Sequence, residues 1–376
     1  MPSELKVNKL SPYTGTTLTL GDSGDTVSTD AVVQASQFIG GGLNAYRNIF
    51  INGDMSIAQR GTSATALGNG DSGYHTVDRW KFIGAGAPTF EFTQTQDTDV
   101  PTGQGFATSL KMDCTTAQGS LGVDEFLLIS QRFEGQNLQY LKKGTSNAES
   151  LTLSFWVKSN KTGTYICEFQ DQDNTRQISK SYTINASNTW EKKTITFEGD
   201  TTGAFDNDNA RSLDFNFWLA AGTDWTSGTL ATSWQSYNAT DRAVGQVNLA
   251  DSTSNDFWIT GVQLEAGTTA SDFEFLPVDV NLHRCQRYFS TNDIETDYVA
   301  NGGSVYYKCY PLPVQMRANP TMANVSQWRY FSSGAGTNFT PNSINTASNL
   351  MFEVQGTGLT NCRGFISGGW SADAEL

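Results

Sequence analysis

The sequence predicts an all-β protein, and three observations carry that expectation. Residues 151–197 alternate with a period of two: Leu151, Leu153, Phe155 and Val157 fall on one side of the first run, and Thr152, Ser154, Trp156 and Lys158 on the other. That is the pattern of a half-buried strand. The 376 residues include 36 glycines, abundant Thr, Ser and Asn, and only 16% charged residues, a composition of short strands joined by many turns. No long amphipathic helical pattern occurs along the chain, so the apolar side of one sheet needs a second sheet to cover it.

Residues 1–45 differ in kind from the rest of the chain. Within residues 11–28, Leu18, Leu20 and Val27 are the sizeable aliphatics, and after Tyr13 the next aromatic is Phe38. So small an apolar inventory cannot offset a backbone ordering cost of roughly 1 to 2 kcal/mol per residue. If the segment is ordered, identical copies or a partner must supply the missing core; the bland alternative is a disordered N-terminal tail. Val32, Ala35, Ile39 and Leu43 form a brief helical stripe ended by the Gly40–Gly42 triplet, which suits a short coil leading into a globular head. Residues 1–45 are therefore read as an extended N-terminal stalk.

At Arg47 the character changes. Residues 48–55 (NIFINGDM) make an apolar run closed by the Asn52-Gly53 turn signal, and further alternating runs occupy 78–83, 89–93 and 127–133. The pair 151–158 and 164–169 reads as neighbouring antiparallel strands, because residues 159–163 supply turn chemistry. Three more runs lie at 190–197, where Lys193, Ile195 and Phe197 share a face, then at 213–219 (LDFNFWL) and 256–264. Eight or nine such strands over about 240 residues, with no intervening helix, is the arithmetic of a jelly-roll β-sandwich, here residues 46–283. Residues 284–376 read as a small C-terminal β domain. Its short aromatic-rich strands fall at 285–290, 305–310, 327–331 and 350–354, with Pro311, Pro313 and Pro320 at the bends and a last strand at 364–370. Patterning that persists to within about six residues of the end predicts that this end is tucked into the fold.

Charge and composition narrow the function. A net charge of −14 and a pI near 4.5 argue against nucleic acid, whose phosphates require clustered Lys and Arg, and equally against an anionic membrane surface. The five cysteines, Cys114, Cys167, Cys285, Cys309 and Cys362, are odd in number and widely spaced, and read as free, mostly buried thiols. The start MPSELKVNKL lacks the apolar core of a secretory signal, and no run approaches the roughly 18 apolar residues of a membrane span. The expectation is synthesis in a cytoplasm, without the usual export route and without membrane insertion.

Catalysis has little to work with. His75 and His283 are the only histidines, and HExxH, GxSxG and P-loop patterns are absent. Paired carboxylates converging from distant strands remain the one route to a glycosidase. Two acidic loops invite a calcium reading: Asp171, Asp173 and Asn174, with Arg176 where an EF-hand needs glycine, and Asp206–Asn209 within residues 200–209. A solvated turn rich in residues that tolerate positive φ is the plainer reading of both, and no cofactor or metal is assigned. Trp218 and Trp258 lie within strands and read as core. Trp225, Trp234 and Tyr237 lie in a Gly/Ser/Thr loop, where exposed ring faces could stack on sugars, and Trp328, Tyr330 and Trp370 form a competing C-terminal set.

Six segments in order carry a resemblance: residues 47–61 (RNIFINGDMSIAQRG), 74–82 (YHTVDRWKF), 151–160 (LTLSFWVKSN), 189–202 (TWEKKTITFEGDTT), 260–267 (TGVQLEAG) and 285–289 (CQRYF). Together they resemble the body of tail-fibre-like structural proteins of marine and other bacteriophages. Residues 313–321 (PVQMRANPT) and the terminal SADAEL are similar to the ends of such fibres, and residues 1–45 match their Thr/Gly-rich attachment segments in composition. The body also resembles the jelly roll of carbohydrate-binding modules. Asn52, Gly53 and Asp54 fit the first-strand signature of that class, while Thr260 and Gly261 stand where its last strand carries an acidic pair that helps hold calcium.

These resemblances imply a virion structural protein, a homotrimeric tail fibre or fibre-like appendage. It would attach to other virion proteins through residues 1–45 and adhere to a host-surface glycan. A head fibre, capsid decoration or neck/collar protein of the same particle is the nearest alternative, and a surface-glycan-degrading enzyme the second.

Overall fold

The computed structural model describes residues 46–300, 306–326, 328–332, 335–339, 341, 343–356 and 362–376. The stalk and helical stripe expected in residues 1–45 lie outside the described residues. Asn44–Leu376 form one compact unit. Its first thirteen strands are β1 (Ser63–Leu67), β2 (Ser72–Tyr74), β3 (Lys81–Ala85), β4 (Glu91–Asp97), β5 (Ser109–Thr116), β6 (Phe126–Glu134), β7 (Leu151–Ser159), β8 (Gly163–Asp171), β9 (Arg176–Ile184), β10 (Glu191–Phe197), β11 (Arg211–Ala221), β12 (Gln235–Ser236) and β13 (Asp256–Ala266), with a one-turn helix α1 (Thr223–Thr226) after β11. They pair antiparallel in two sheets, ordered β1-β4-β5-β13-β7-β10 and β12-β9-β8-β11-β6-β3-β2. The protein is all-β, and this part is the β-sandwich that the alternation predicts.

The core between the sheets is aromatic. Phe155 of β7 meets Phe217 of β11 edge-on at 5.0 Å, Phe217 meets Phe215 at 4.7 Å, and Phe169 of β8 meets Phe197 of β10 at 4.7 Å. Such edge-to-face pairs add to the area that each ring buries. The expected strands at 151–158, 164–169 and 213–219 are all present. In β7 and β11, however, the outward side is covered as well: Thr152, Ser154, Asp214, Asn216 and Trp218 are buried, and Trp156 is half-buried.

Two sequence expectations are corrected. The run 48–55 enters no strand, because its asparagine side chains take over the bonds that a ladder would make. Asn48 Oδ1 accepts the Phe50 and Leu264 amides, and Asn52 spans the Ile57 amide and carbonyl and the Asp78 carbonyl. Gly53 is required there, since a Cβ would lie 2.0 Å from the Val262 carbonyl oxygen. The strand expected at 285–290 is instead the end of a helix, α2 (Val278–Gln286), followed by β14 (Phe289–Ala300). Pro277 precedes the helix, Asp279 lies in its first turn and His283 and Arg284 in its last, all placements that favour helix.

The remaining strands are β15 (Tyr306–Pro311), β16 (Thr321–Asn324), β17 (Trp328–Ser332), β18 (Ala335–Phe339), β19 (Ser343–Ser348), β20 (Met351–Gly356) and β21 (Cys362–Asp373). In the larger of two sheets β21 pairs β14 along its whole length, with β17 and β16 on its other side; the smaller is β15-β20-β19. After β21 the chain returns to the sandwich. Arg60 reaches Asp373 at 3.1 Å and Glu375 at 3.4 Å, Arg79 pairs with Glu375, and the Ala374 amide donates to the Tyr288 carbonyl at 2.8 Å. Cys114, Cys167 and Cys285 are buried free thiols, while Cys309 is exposed.

Candidate functional site

The loop of Trp225, Trp234 and Tyr237 lies over the outer face of the seven-stranded sheet. That face is set by alternation: Tyr165, Cys167 and Phe169 of β8 point into the sandwich, so Ile166, Glu168 and Gln170 point out. The loop is fastened there by one buried ion pair. Arg242 Nε and Nη2 donate to Glu168 at 2.7 and 2.9 Å, and the same carboxylate accepts Asn216 Nδ2 and Trp218 Nε1, each at 3.0 Å. The Arg242 guanidinium also lies 4.7 Å from the Trp218 ring, 5.1 Å from Trp225 and 5.5 Å from Tyr237.

The three loop aromatics are used differently. Trp225 stands edge-on to Phe126 at 5.0 Å and donates its Nε1 to the Asp124 carbonyl. Trp234 packs against the sandwich core and donates to the Glu198 carbonyl at 2.8 Å. Both are loop anchors. Tyr237 is 40% exposed and lines a groove of about 320 Å³ together with Gln170, Gln172, Thr175, Arg176, Arg211 and Arg242. The backbone there is fixed by the Tyr237 amide on the Thr175 carbonyl at 2.9 Å and by Gln177, which bonds both the amide and the carbonyl of Asn238.

The groove's charges are internally matched. Arg176 grips Asp200 at 2.7 and 3.0 Å, Arg211 grips Asp214, Arg242 grips Glu168, and Asp171, which also lines the groove, pairs with Lys143. Burial pushes the Asp200 carboxyl up, but Arg176, the Thr202 amide and Lys143 outweigh it and hold the group below its ordinary range. What the groove presents is one ring face among planar hydrogen-bonding side chains that carry no unbalanced charge.

In the competing set, Trp328 is fully buried and Trp370 is 2% exposed, its ring tilted 39° against Phe352 at 4.6 Å, so neither offers a ring to solvent. The Tyr330 side chain lies outside the described residues. Sequence alone could not separate anchor from platform, because all of these rings sit among the same small polar neighbours.

The two acidic loops do converge, on a lysine. Lys143 Nζ lies 2.5 Å from Asp171 Oδ2 and 3.1 Å from Asp200 Oδ2, and donates to the Thr202 and Gly203 carbonyls at 2.9 and 2.7 Å. An ammonium thus sits among the oxygens that would surround a cation. At the NGD turn the Asn281 amide bonds Asp54 and Ser56, both at 3.1 Å. No group of His, Cys, Asp and Glu among the described residues has the arrangement of a metal site. His75 is half-buried, with burial lowering its pKa, and His283 is exposed on α2.

No family model and no curated protein matches the chain. Among solved structures it is similar to the enzymatically active domain of bacteriophage CBA120 tailspike protein 4, at 16% identity over 59% of this chain and 22% of that one, with a TM-score of 0.32. The family 11 carbohydrate-binding module of the Clostridium thermocellum cellulase Lic26A-Cel5E matches at 12% identity over 53% of this chain and 94% of that one, with a TM-score of 0.28. TmCBM61, determined with β-1,4-galactotriose, matches at 9% identity over 58% and 99%, with a TM-score of 0.30. Likeness at this level leaves ligand and role to be argued from the chain's own residues.

Proposed function

We propose that this chain is a carbohydrate-adhesion component of a bacteriophage fibre or fibre-like appendage, working as a homotrimer attached to the particle through residues 1–45. The observation that carries the adhesive reading is the Tyr237 groove. A sugar offers an apolar C–H face and several adjacent hydroxyls. The groove supplies an exposed ring for the first, with Gln170, Gln172 and three carboxylate-paired arginines beside it for the second. Pockets of this kind, with an aromatic surface and a few placed polar groups, bind small ligands through shape and oriented hydrogen bonds.

The fibre role rests on the six ordered segments that resemble tail-fibre bodies, and trimerisation on the thin apolar inventory of residues 1–45. One open groove binds weakly. Three identical heads on each of several fibres raise effective affinity by orders of magnitude without any new contact. Binding, not bond cleavage, is the proposed activity.

The test is a glycan array and a host-cell binding assay on the full chain and on Tyr237→Ala. Selective loss of binding at an unchanged melting temperature supports the reading; equal binding by the variant moves the site elsewhere. Release of reducing ends from a bound polysaccharide would favour an enzyme, and a monomer by light scattering at micromolar concentration would remove the trimer.

A further inference from the structure

A second concavity, about 330 Å³, opens beside α2, and it is built differently. Its lining holds three guanidinium groups, Arg132, Arg284 and Arg287, against the single carboxylate Glu134. On a chain of net charge −14 that is a local reversal of sign. Two of the arginines are committed: Arg287 grips Glu134 at 2.8 and 2.6 Å, and Arg132 donates to the Leu376 carbonyl at 2.5 Å.

Arg284 is different. Its one hydrogen bond among the described residues runs from Nη2 to the Asn48 carbonyl at 3.2 Å, and it forms no ion pair with a described residue, so most of its five N–H donors are unspent. Burial pulls its pKa below the ordinary arginine value, against the nearby Cys285, Glu274, Tyr288 and Tyr46. Glu274 is the carboxylate that acts on it, yet its oxygens accept the Tyr46 and Asn48 amides, at 2.7 and 2.9 Å, and it forms no ion pair with Arg284. A half-buried cation with free donors favours an anion, and the planar fork favours a carboxylate.

The rim is aromatic. Tyr46 is 59% exposed and Tyr140 50% exposed, and both line the cavity with the exposed side chain of Asn137. Tyr46, Arg284 and Arg287 also line a neighbouring groove of about 570 Å³ that includes Val280, His283 and Gln315, so the site continues along α2. We propose that this cleft binds the uronic-acid unit of an acidic glycan, with the carboxylate on Arg284, the ring against Tyr140, and the hydroxyls at Asn137. The choice of a saccharide over another carboxylate rests on the adhesive function proposed for this chain. The site itself shares none of these residues with the Tyr237 groove.

The test titrates the full chain with D-glucuronate, D-galacturonate, D-glucose and acetate by calorimetry or NMR. One carboxylate fork and one ring contact give a dissociation constant of about 1 mM for a uronate, at least about tenfold weaker for glucose and acetate, and weaker still in added salt. Arg284→Gln and Arg284→Lys each weaken uronate binding about tenfold or more, the lysine because a point charge cannot replace the fork. Should either disturb folding through the Asn48 contact, Tyr140→Ala and Asn137→Ala, both on exposed positions, carry the test with several-fold losses. Tyr237→Ala leaves uronate binding unchanged, which separates this site from the first. Equal affinity for uronate and glucose, equal affinity for acetate, or full uronate binding by Tyr140→Ala and Asn137→Ala would each overturn the proposal.

Discussion

Arg242 and Glu168 meet through two hydrogen bonds of 2.7 and 2.9 Å on the outer face of the seven-stranded sheet, where both side chains are buried. Removing one member leaves the other charged and unpaired, which costs about 3 to 5 kcal/mol, whereas neutralising both while keeping their other hydrogen bonds costs far less. Arg242→Ala should therefore lower the denaturation midpoint far more than the double change Arg242→Met with Glu168→Gln, which keeps an acceptor oxygen for Asn216 Nδ2 and Trp218 Nε1. Denaturant melts of the three proteins check this, and equal damage from both changes would mean the pair contributes through shape alone.

Phe155→Asp places a charge in the aromatic core, at a cost of several kcal/mol, enough to unfold a domain of ordinary stability. Trp156→Asp, half-buried on the other side of β7, costs less. Ser154→Asp shares the Trp156 side but is buried, and should approach Phe155→Asp in severity. Circular dichroism melts rank the three; a harmless Ser154→Asp would mean that the cover over this face is loose.

Lys143→Ala removes the ammonium between Asp171 and Asp200 and leaves two buried carboxylates with two carbonyls around an open space. The variant should melt below the parent, and millimolar calcium should recover part of the loss, since a cation that binds only the folded state stabilises it. The parent should show no such response. A calcium-insensitive variant would mean the oxygens close up once the lysine is gone.

Burial pushes the Glu191 carboxyl up, but Lys193 and the Asn185 and Ala186 groups outweigh it and hold the pKa at about 2, below the ordinary 4.5. A depressed acid contributes stability that is present above its unfolded pKa and is lost as pH falls through the folded one. The gap in melting temperature between the parent and Glu191→Gln should thus be full above about pH 5 and close toward pH 2. A gap independent of pH would assign the loss to hydrogen-bond geometry instead of charge.

Much of the sandwich is legible in the sequence, because a period of two survives wherever one side of a strand is apolar. It is legible in β7, β8, β11 and β13. It fails at residues 48–55, where Asn48 and Asn52 make turn bonds inside an apolar run, and at 285–290, where a helix signal begins upstream at Pro277. The site is harder to read. Tyr237 is identifiable as a loop aromatic, but its separation from Trp225 and Trp234 depends on carbonyls of Asp124 and Glu198 that are distant in sequence. The Arg284 cleft leaves no local signature, since Tyr46, Asn137, Tyr140 and Arg284 come together only through the fold.

The chain leaves the sandwich at Tyr288 and returns at Ala374, and these two crossings lie side by side, with Phe289 opposite Asp373 in the ladder and Ala374 bonded back to Tyr288. A single crossing would act as a swivel. Two antiparallel crossings, braced by Arg60 and Arg79 on the acidic residues at the chain's end, form a strap that resists torsion. A twist between these sheets and the sandwich is then carried across many rungs at once instead of turning about a single bond.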